Sequence, residues 1–299
     1  MIHGIINVYK EKGFTSHDVV AKLRGIVGQK KIGHTGTLDP DATGVLPVCL
    51  GKATKLCDLL TDKNKTYEAV LLLGKTTDTQ DITGEVLEEK STEALTEEKV
   101  REAIEGFIGD YEQIPPMYSA LKVNGKKLYE LAREGKVIER KARPVKILDI
   151  QILEFDLPKV RMEVSCSKGT YIRTLCHDIG EKLGCGGCME SLIRTRVSTF
   201  RIEDAKMLDE IETLKQEGKL AELLVPIDAM FPSYPKITVK DDWKAFAKNG
   251  NPLDLKMLKE ACGQDEETQV RLYDESGKFI AIYQWKEKKY HIVKMFFNE

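Results

Sequence analysis

The chain of 299 residues contains no apolar run of about 18 residues, the length that a membrane-spanning helix needs. The first residues, MIHGIINVYKEKG, also lack the basic stretch and long apolar core of a secretory signal. Cysteine is present seven times, an odd number, and without disulfide-like spacing. We therefore expect a cytoplasmic protein whose thiols are reduced.

A strong net charge is missing as well. The 46 Lys and Arg nearly cancel the 48 Asp and Glu, which leaves a net charge of −2. This balance excludes a protein that coats nucleic acid through overall positive charge, but it allows binding through a local patch. Residues 122–146 carry nine Lys or Arg against three Glu, shortly after Pro115 and Pro116. We expect a loop-like insertion over about 112–146 that either binds RNA or is an ordinary solvated surface.

Apolar periodicity predicts several strands and helices. The expected strands are Ile5–Val8, Tyr67–Leu73, Val145–Phe155, Val160–Cys166 and one near Glu190. The expected helices are one capped by Ser16, one capped by Thr96 and one after Thr170. Strands and helices mix without regular βαβ alternation. The predicted class is therefore α+β, with a mixed, mostly antiparallel central sheet flanked by helices.

Three prolines within ten residues, Pro226, Pro232 and Pro235, predict a linker. Beyond it, strands are expected near Gln269–Tyr273, Phe279–Trp285 and Tyr290–Phe296. We therefore expect two domains, residues 1–233 and a small β-rich module over 234–299.

Asp39 lies in the Gly-rich segment GHTGTLDPDATGVLP, residues 33–47. Pro40 restricts Asp39 to extended backbone angles, and the flanking glycines allow other groups to approach closely. A carboxylate held on such a loop suits nucleophilic catalysis. On these residues alone, an ordinary Asp-Pro turn is the better explanation of the segment, because turns favour both Asp and Pro.

The same segment resembles the catalytic motif of the TruB-type tRNA pseudouridine synthases, which modify position 55 in the T loop of tRNA. Four more stretches resemble the family in order, and together they reach about Phe200. They are KEKGFTS (10–16), YEAVLLLGKTTDTQDITG (67–84), IPPMYSALKVNGKKLYELAREG (114–135) and CSKGTYIRTLCHDIGEKLG (166–184). The resemblance implies the pseudouridine-synthase fold. The residues after about Tyr234 more loosely resemble the small β-barrel RNA-binding domain called PUA.

The resemblance also implies residue roles. Asp39 would be the catalytic aspartate, Arg173 its ion-pair partner, and Tyr67 the ring that stacks on the uracil and transfers a proton. Leu192 would line the pocket. RNA contacts are expected from two groups of residues, His34 with Tyr171 near the flipped nucleotide, and the insertion residues Lys126, Lys127, Arg140 and Lys141. The family implies the tRNA T arm as partner, no cofactor, no metal, no required protein partner and a monomer.

These roles agree with the chemistry of the residues. The isomerisation needs an ionised carboxylate, and a neighbouring guanidinium favours that form. The target base must leave the folded RNA, where an aromatic face can hold it. Attack by Asp39 on the base, attack on the sugar and removal of a sugar proton are all compatible with these residues.

Two other functions compete with this one. A non-catalytic RNA-binding protein on the same scaffold would be expected to lack Asp39 or Arg173. A glycosidase using Asp39 would need a second, opposed carboxylate, and Asp41 is too close in sequence to serve.

The chain departs from the family pattern in two places. Tyr9 and Glu11 flank Lys10 where the family usually has an acidic residue and a proline, so we expect Lys10 to support the loop without a catalytic role. Cys185 and Cys188 form a single CxxC, for which we favour a local substitution over a zinc site.

Overall fold

The computed structural model describes residues 1–123 and 125–297. Eighteen strands are present in the described chain: β1 (Gly4–Lys10), β2 (Ile32–His34), β3 (Thr43–Leu50), β4 (Lys65–Leu73), β5 (Lys75–Thr77), β6 (Val86–Glu89), β7 (Gly109–Gln113), β8 (Lys122–Val123), β9 (Lys126–Lys127), β10 (Arg143–Asp156), β11 (Lys159–Cys166), β12 (Gly187–Val197), β13 (Phe200–Arg201), β14 (Lys236–Val239), β15 (Leu258–Glu260), β16 (Gln269–Tyr273), β17 (Phe279–Lys286) and β18 (Lys289–Met295). The helices are α1 (Ser16–Val27), α2 (Cys57–Thr61), α3 (Glu97–Glu105), α4 (Leu128–Arg133), α5 (Ile172–Leu183), α6 (Leu208–Gln216) and α7 (Lys244–Lys248).

A nine-stranded sheet forms the centre of the molecule. Its main path is β1-β3-β12-β4-β11-β10-β7, with β2 added beside β3 and β13 beside β12. The β3–β12 pair is parallel, and the other neighbours run antiparallel. The expected mixed, mostly antiparallel sheet flanked by helices is therefore confirmed.

The strands and helices expected from periodicity are also confirmed, with one correction at a helix start. Thr96 caps α3 as predicted, by accepting a hydrogen bond from the amide of Lys99. Thr15, not Ser16, caps α1, where it forms a reciprocal capping box with Asp18. Ser16 is already inside the helix, which frees its hydroxyl for a contact with the Asp39 loop.

The Gly-rich segment contains a buried strand, β3. The strand was not predicted because the glycines of the segment interrupt its apolar pattern. Seven of the eight β3 residues are buried, and Gly44 is among them. Gly44 has φ of +102°, and a Cβ there would lie 2.3 Å from the carbonyl oxygen of Arg194. Glycine therefore lets β3 approach β12 closely at the position where the two strands begin to run parallel.

Helices pack on the sheet in two groups. Helices α3 and α5 bury apolar side chains such as Ile104 and Leu175 against β4 and β11. Helices α1 and α6 pack at the other end of the sheet, near β1 and β3, through residues such as Leu23 and Ile211. The loop that bears Asp39 connects β2 to β3, and the start of α5 faces it.

The C-terminal strands form a second sheet in the order β15-β14-β16-β17-β18. All three strands expected from the sequence are present as β16, β17 and β18. The expected small barrel needs correction, because within residues 1–123 and 125–297 this sheet does not close. An isolated antiparallel bridge between Leu253 and Tyr290 links the segment before β15 to the edge strand β18.

None of the helices in the described residues is both long enough and apolar enough to cross a membrane.

Candidate active site

The Asp39 loop is anchored on both sides of the carboxylate. The amide of Leu38 donates a hydrogen bond of 2.9 Å to the Ser16 hydroxyl. The carbonyl of Pro40 accepts hydrogen bonds from the Gly13 amide at 2.9 Å and from Nζ of Lys10 at 3.0 Å. The backbone next to Asp39 is therefore held by residues of the β1–α1 segment. The sequence analysis expected this support from Lys10 alone.

Arg173, in the first turn of α5, reaches Asp39. Nη2 of Arg173 lies 3.2 Å from Oδ2 of Asp39 and donates a 2.9 Å hydrogen bond to the Tyr118 carbonyl. Nη1 donates at 3.2 Å to the Thr79 carbonyl. The Asp39 side chain is 46% exposed while that of Arg173 is 8% exposed. The half-exposed Asp39 carboxylate is thus paired with the nearly buried guanidinium of Arg173, which also donates hydrogen bonds to two backbone carbonyls.

A second carboxylate, Asp81, shares the same guanidinium. Its Oδ2 lies 3.2 Å from Nη1 of Arg173. Its Oδ1 accepts hydrogen bonds from the Thr79 hydroxyl at 2.8 Å and the Thr83 amide at 3.0 Å. Asp81 is therefore fixed by its own loop, between β5 and β6. It pairs with Nη1 of Arg173 while Asp39 pairs with Nη2, so the two carboxylates together orient the cation.

Tyr67 and Leu192 are buried in the apolar cluster next to the Asp39 loop. Tyr67 is buried in β4, and Leu192 is buried in β12. Both belong to the cluster that also contains Leu38, the residue before Asp39. Burial raises the pKa of the Tyr67 hydroxyl, so the hydroxyl is protonated at neutral pH.

Arg194 is the cross-strand partner of Tyr67, and it was not among the residues predicted from the sequence. Its side chain is 1% exposed. Its Nε donates a 2.7 Å hydrogen bond to the Val45 carbonyl, and Nη2 donates at 3.3 Å to the Gly36 carbonyl. Burial raises the pKa of the Tyr67 hydroxyl, and the nearby guanidinium of Arg194 opposes that rise. One buried side chain thereby joins β12, β3 and the loop that precedes Asp39.

Two nearby basic groups are affected by burial. Burial lowers the pKa of Lys10 to about 8, although Asp39 and Asp41 oppose the shift. Burial also lowers the pKa of His34, which His17 reinforces from 5.1 Å between ring centroids. His34 is therefore a neutral imidazole at physiological pH, and its Nδ1 accepts a hydrogen bond from the Gly36 amide.

Tyr171 directly precedes α5, where it is tied to β7. Its amide donates to Oε1 of Gln113 at 2.8 Å, and its carbonyl accepts from Nε2 of the same side chain at 3.0 Å. The two ends of the amide side chain hold the start of the helix that carries Arg173. Tyr171 itself is partly buried, and burial raises the pKa of its hydroxyl.

The insertion lies between β7 and β10 and has a small core of its own, formed by Met117, Leu128 and Leu131. The carbonyl of Tyr118 contacts Arg173, so the root of the insertion touches the site.

The four predicted basic residues of the insertion differ in their surroundings. Lys126 pairs with Glu134 at 3.4 Å, and Lys127 donates at 3.1 Å to the hydroxyl of Tyr129. Arg140 donates at 3.1 Å to the Pro115 carbonyl. Lys141 is exposed. Arg140 therefore also closes the base of the insertion.

The two cysteines of the CxxC do not form a metal site in the described chain. Cys185 and Cys188 are buried free thiols. The Cys185 thiol donates to the Gly186 carbonyl at 3.3 Å. Within residues 1–123 and 125–297, no group of three or more His, Cys, Asp or Glu side chains is arranged to hold a metal ion.

The family of the chain follows from comparison with known proteins. Residues 24–172 match the model of the TruB family pseudouridylate synthase N-terminal domain, and residues 173–232 match the tRNA pseudouridylate synthase B C-terminal domain. The chain belongs to the TruB family of pseudouridylate synthases. It is 58% identical to a tRNA pseudouridine synthase B of Lachnoclostridium phytofermentans, over 99% of this chain and 100% of that protein. It is 44% identical to that of Bacillus pumilus, over 98% and 96%.

Solved structures similar to this TruB-family chain come from multicomponent assemblies. One is an H/ACA RNP bound to a substrate RNA containing 2'-deoxyuridine, with a TM-score of 0.72 and 26% identity over 99% of this chain and 85% of that chain. Another is a Cbf5-Nop10-Gar1 complex, with a TM-score of 0.72 and 28% identity over 98% and 85%. The similarity extends over both sheets of the TruB-family chain, so the α+β pseudouridine-synthase fold is confirmed.

Three contributors to this TruB-family site were not predicted from the sequence: Ser16, Asp81 and Arg194. In the sequence, Ser16 is explained as a helix cap, Asp81 as a turn residue and Arg194 as a strand residue. Asp81 had a detectable signal, because it lies within TTDTQD, inside one of the stretches that resembled the family. Arg194 follows Leu192 by two residues, so strand alternation places both on the same face of β12.

Proposed function

We propose that this protein isomerises uridine to pseudouridine at position 55 in the T loop of tRNA. The relatives named tRNA pseudouridine synthase B support tRNA as the substrate, since they cover nearly the whole chain. The observation that carries the proposal is the half-exposed Asp39 carboxylate on the buried Arg173, beside the apolar wall of Tyr67 and Leu192.

The reaction is balanced without another reactant. The bond between C1' of the ribose and N1 of the uracil breaks, the base turns, and a bond forms between C1' and C5. The hydrogen on C5 is lost as a proton, and N1 regains one. Nothing is oxidised and no phosphate moves, so we propose that the enzyme uses no cofactor. We also propose that it acts as a monomer without a protein partner.

Asp39 is the catalytic carboxylate in this proposal, and its ion pair with Arg173 aims it. The exposed carboxylate can approach a flipped nucleotide, while the cation beneath it is fixed by the Thr79 and Tyr118 carbonyls and by Asp81. A guanidinium held in this way needs little rearrangement during the reaction, which is what electrostatic preorganisation requires.

The remaining residues of the site bind the flipped nucleotide. Tyr67 offers a ring face and a protonated hydroxyl to the uracil, and Leu192 closes the pocket beside it. His34, as a neutral imidazole, and Tyr171 contact the neighbouring RNA. Extracting a base from its stack costs roughly a few kcal/mol, and stacking on an aromatic ring offsets part of that cost.

The insertion binds the phosphate backbone of the T arm in this proposal. Lys126, Lys127, Arg140 and Lys141 supply the positive charge, and the insertion's root contacts the reacting site through Tyr118 and Arg173. We further propose that residues 1–233 form the catalytic domain and residues 234–299 a PUA-like RNA-binding domain.

Unmodified tRNA, incubated with the purified protein without added metal or nucleotide, tests the substrate. We expect pseudouridine at position 55 and a comparable product in a hairpin that contains the T arm alone. A transcript with cytidine at position 55 is the matched control. Pseudouridine at other positions of the wild-type transcript, or none on several tRNAs, would contradict the proposal.

Charge reversal of Lys126, Lys127 and Lys141 to Glu tests the insertion. Loss of phosphate contacts should weaken tRNA binding and reduce the slope of log K against log salt, by about 0.9 per lost contact on duplex RNA if it behaves as B-DNA does. Arg140 is changed separately, because its bond to the Pro115 carbonyl also supports the insertion's fold. An unchanged affinity and slope in the triple variant would show that the insertion does not bind the backbone.

A further inference from the structure

A groove of about 360 Å³ lies where β4 begins and where β11 and β12 end. Ligand-binding clefts measure roughly 300–1,000 Å³, so the groove can hold a nucleotide unit. No carboxylate is among its lining residues in the described chain. The lining includes two cations, three uncharged polar side chains and one apolar side chain: Lys63, Arg196, Asn64, Thr66, Ser165 and Leu148.

The groove and the candidate active site lie on opposite faces of β4. Side chains alternate along this strand, so Tyr67 is buried on one face and Thr66 is partly exposed on the other. The Cα atoms of consecutive residues are about 3.8 Å apart. RNA bound in the groove would therefore lie close to the RNA that presents the target base to Tyr67.

A β-bulge directs Arg196 towards the groove. Arg194 pairs with Tyr67 and Arg196 pairs with Thr66, so β12 advances by two residues while β4 advances by one. In a regular strand, residues two apart share a face, and Arg196 would lie on the same face as the buried Arg194. The extra residue, Thr195, moves Arg196 to the face of Thr66 instead.

The guanidinium of Arg196 is anchored at one nitrogen and open at the other two. Its Nε donates a 2.7 Å hydrogen bond to the Ser198 carbonyl. Within residues 1–123 and 125–297, neither Nη nitrogen makes a hydrogen bond or an ion pair. A guanidinium has five N–H donors, so four remain available to a ligand in the groove.

Lys63 and two hydroxyls add further donors. Lys63 is exposed, and its ammonium has no ion-pair partner in the described parts of the chain. The preceding residue, Asp62, pairs with Lys168 at 2.9 Å. The hydroxyls of Thr66 and Ser165 lie 3.0 Å apart, and their hydrogen bond uses only one of their two hydrogens. Two cations with spare hydrogen-bond donors suit a phosphate.

Acidic residues of the same sheet face lie further along the strands. Glu68 and Glu163 are opposite each other in the β4–β11 register. Arg161 pairs with Glu68 at 3.1 Å and with Glu154 at 3.2 Å. The charge of Arg161 is therefore neutralised by its neighbours, whereas the charges of Lys63 and Arg196 are not.

We propose that this groove binds a backbone phosphate of the substrate RNA through Lys63 and Arg196. Leu148, which is 42% exposed, packs against the adjoining ribose. The contact is separate from that of the insertion. The inference deepens the proposed function and rests on it for the identity of the RNA. Since Thr66 and Tyr67 are consecutive, the phosphate belongs to the T arm.

Salt-dependent binding of a T-arm hairpin to the full-length protein tests the proposal. In the double variant Lys63→Gln/Arg196→Gln, affinity at physiological salt should fall on the order of 3- to 10-fold. The slope of log K against log salt should fall by about 0.7–0.9, the value for one phosphate. Lys63→Arg/Arg196→Lys keeps both charges and should retain the wild-type slope. An unchanged affinity and slope in the Gln double variant would overturn the proposal.

The matched control is Arg161→Gln, which removes an arginine from the same sheet face. Because the Arg161 charge is already paired with Glu68 and Glu154, this variant should bind the hairpin as wild type does. A loss in Arg161→Gln equal to that of the double variant would mean that the groove acts only through general charge, and the proposal would fail.

Ethylation of single phosphates in the hairpin identifies the contact, because an ethylated phosphate carries no charge. With wild type, ethylation of at least one phosphate should weaken binding. The same ethylation should have no further effect on the double variant, whose groove no longer attracts that phosphate. Identical interference patterns for wild type and the double variant would contradict the proposal.

The inference and the proposed function fail in different ways. At saturating tRNA the double variant should form pseudouridine within about twofold of the wild-type rate, because the groove lies on the other face of β4 from Tyr67. If binding depends on the groove but no pseudouridine forms, the proposed function fails and the inference stands. If wild type forms pseudouridine and the double variant binds equally well, the inference fails and the proposed function stands.

Discussion

Replacing Asp81 with Asn removes one of the two carboxylates that hold Arg173 and preserves the size of the side chain. The Asn oxygen can still accept from the Thr83 amide, as Oδ1 of Asp81 does now. Its amide NH2 group would then face Nη1 of Arg173, at the position where Oδ2 now lies 3.2 Å away. Two donors would meet, so Arg173 must turn away or lose that contact.

The expected loss can be derived from the contact itself. A hydrogen bond to a charged partner contributes roughly 1.5–3 kcal/mol, and breaking a fully buried ion pair costs about 3–5 kcal/mol. Arg173 keeps Asp39 and two backbone carbonyls as partners, so the lower range applies. We expect the free energy of unfolding to fall by about 1.5–3 kcal/mol. If the same interaction aims Asp39 in the transition state, kcat falls about 10- to 100-fold.

The assay follows the release of tritium from C5 of uridine in labelled tRNA, because that hydrogen leaves when C5 bonds to the ribose. Urea denaturation gives the free energy of unfolding. KM for tRNA should change little, since the Asp81 side chain is only 15% exposed.

The matched control is Glu85→Gln, which neutralises an exposed carboxylate of the same β5–β6 connection. It should retain wild-type kcat and stability. A kcat for Asp81→Asn within twofold of this control would refute the idea that Asp81 orients Arg173 for catalysis.

Three further substitutions test the support of the Asp39 loop and its neighbouring strands. Ser16→Ala leaves the buried Leu38 amide without its 2.9 Å acceptor, so urea denaturation should report a loss of about 1–3 kcal/mol, together with a lower kcat. Gly44→Ala places a Cβ 2.3 Å from the Arg194 carbonyl oxygen at φ of +102°, so it should lose at least ~2 kcal/mol, and wild-type stability would contradict the close approach of β3 and β12. Lys10→Met tests a pH dependence. Because burial lowers the pKa of Lys10 from 10.5 to about 8, the unfolded chain binds more protons than the folded chain between these values. The stability of wild type relative to Lys10→Met should therefore rise as the pH increases from 8 to 10.5, and a flat difference would show that Lys10 is not buried as a cation.

The strands and helices that could be predicted from the sequence are those that depend on local residue patterns. Alternation and periodicity were sufficient for β4, β11 and α3, because each buries one regular face. The module after Pro235 was recognised as β-rich for the same reason, but the open form of its sheet was not predictable. Its long-range contacts, such as the bridge between Leu253 and Tyr290, join residues that lie 37 positions apart and carry no local signal.

The residues of the candidate site show the same distinction between local patterns and long-range contacts. Asp39, Tyr67 and Arg173 were proposed because their segments resemble a known family, and the structure places Arg173 3.2 Å from Asp39. Asp81 and Arg194 were missed because their roles come from long-range contacts. Arg194 joins Val45 and Gly36, more than 140 residues earlier in the chain, and no local pattern distinguishes it from an exposed strand arginine such as Arg196.

Asp39→Asn tests the central claim most directly, because it removes the charge of the carboxylate while preserving its shape. Single-turnover tritium release from tRNA labelled at C5 of uridine is measured for wild type, Asp39→Asn and Asp41→Asn, which neutralises the exposed aspartate two residues away. The account predicts no detectable pseudouridine at position 55 with Asp39→Asn, bound tRNA at near wild-type affinity, and normal product with Asp41→Asn. Pseudouridine formation by Asp39→Asn at a rate near that of wild type would contradict it.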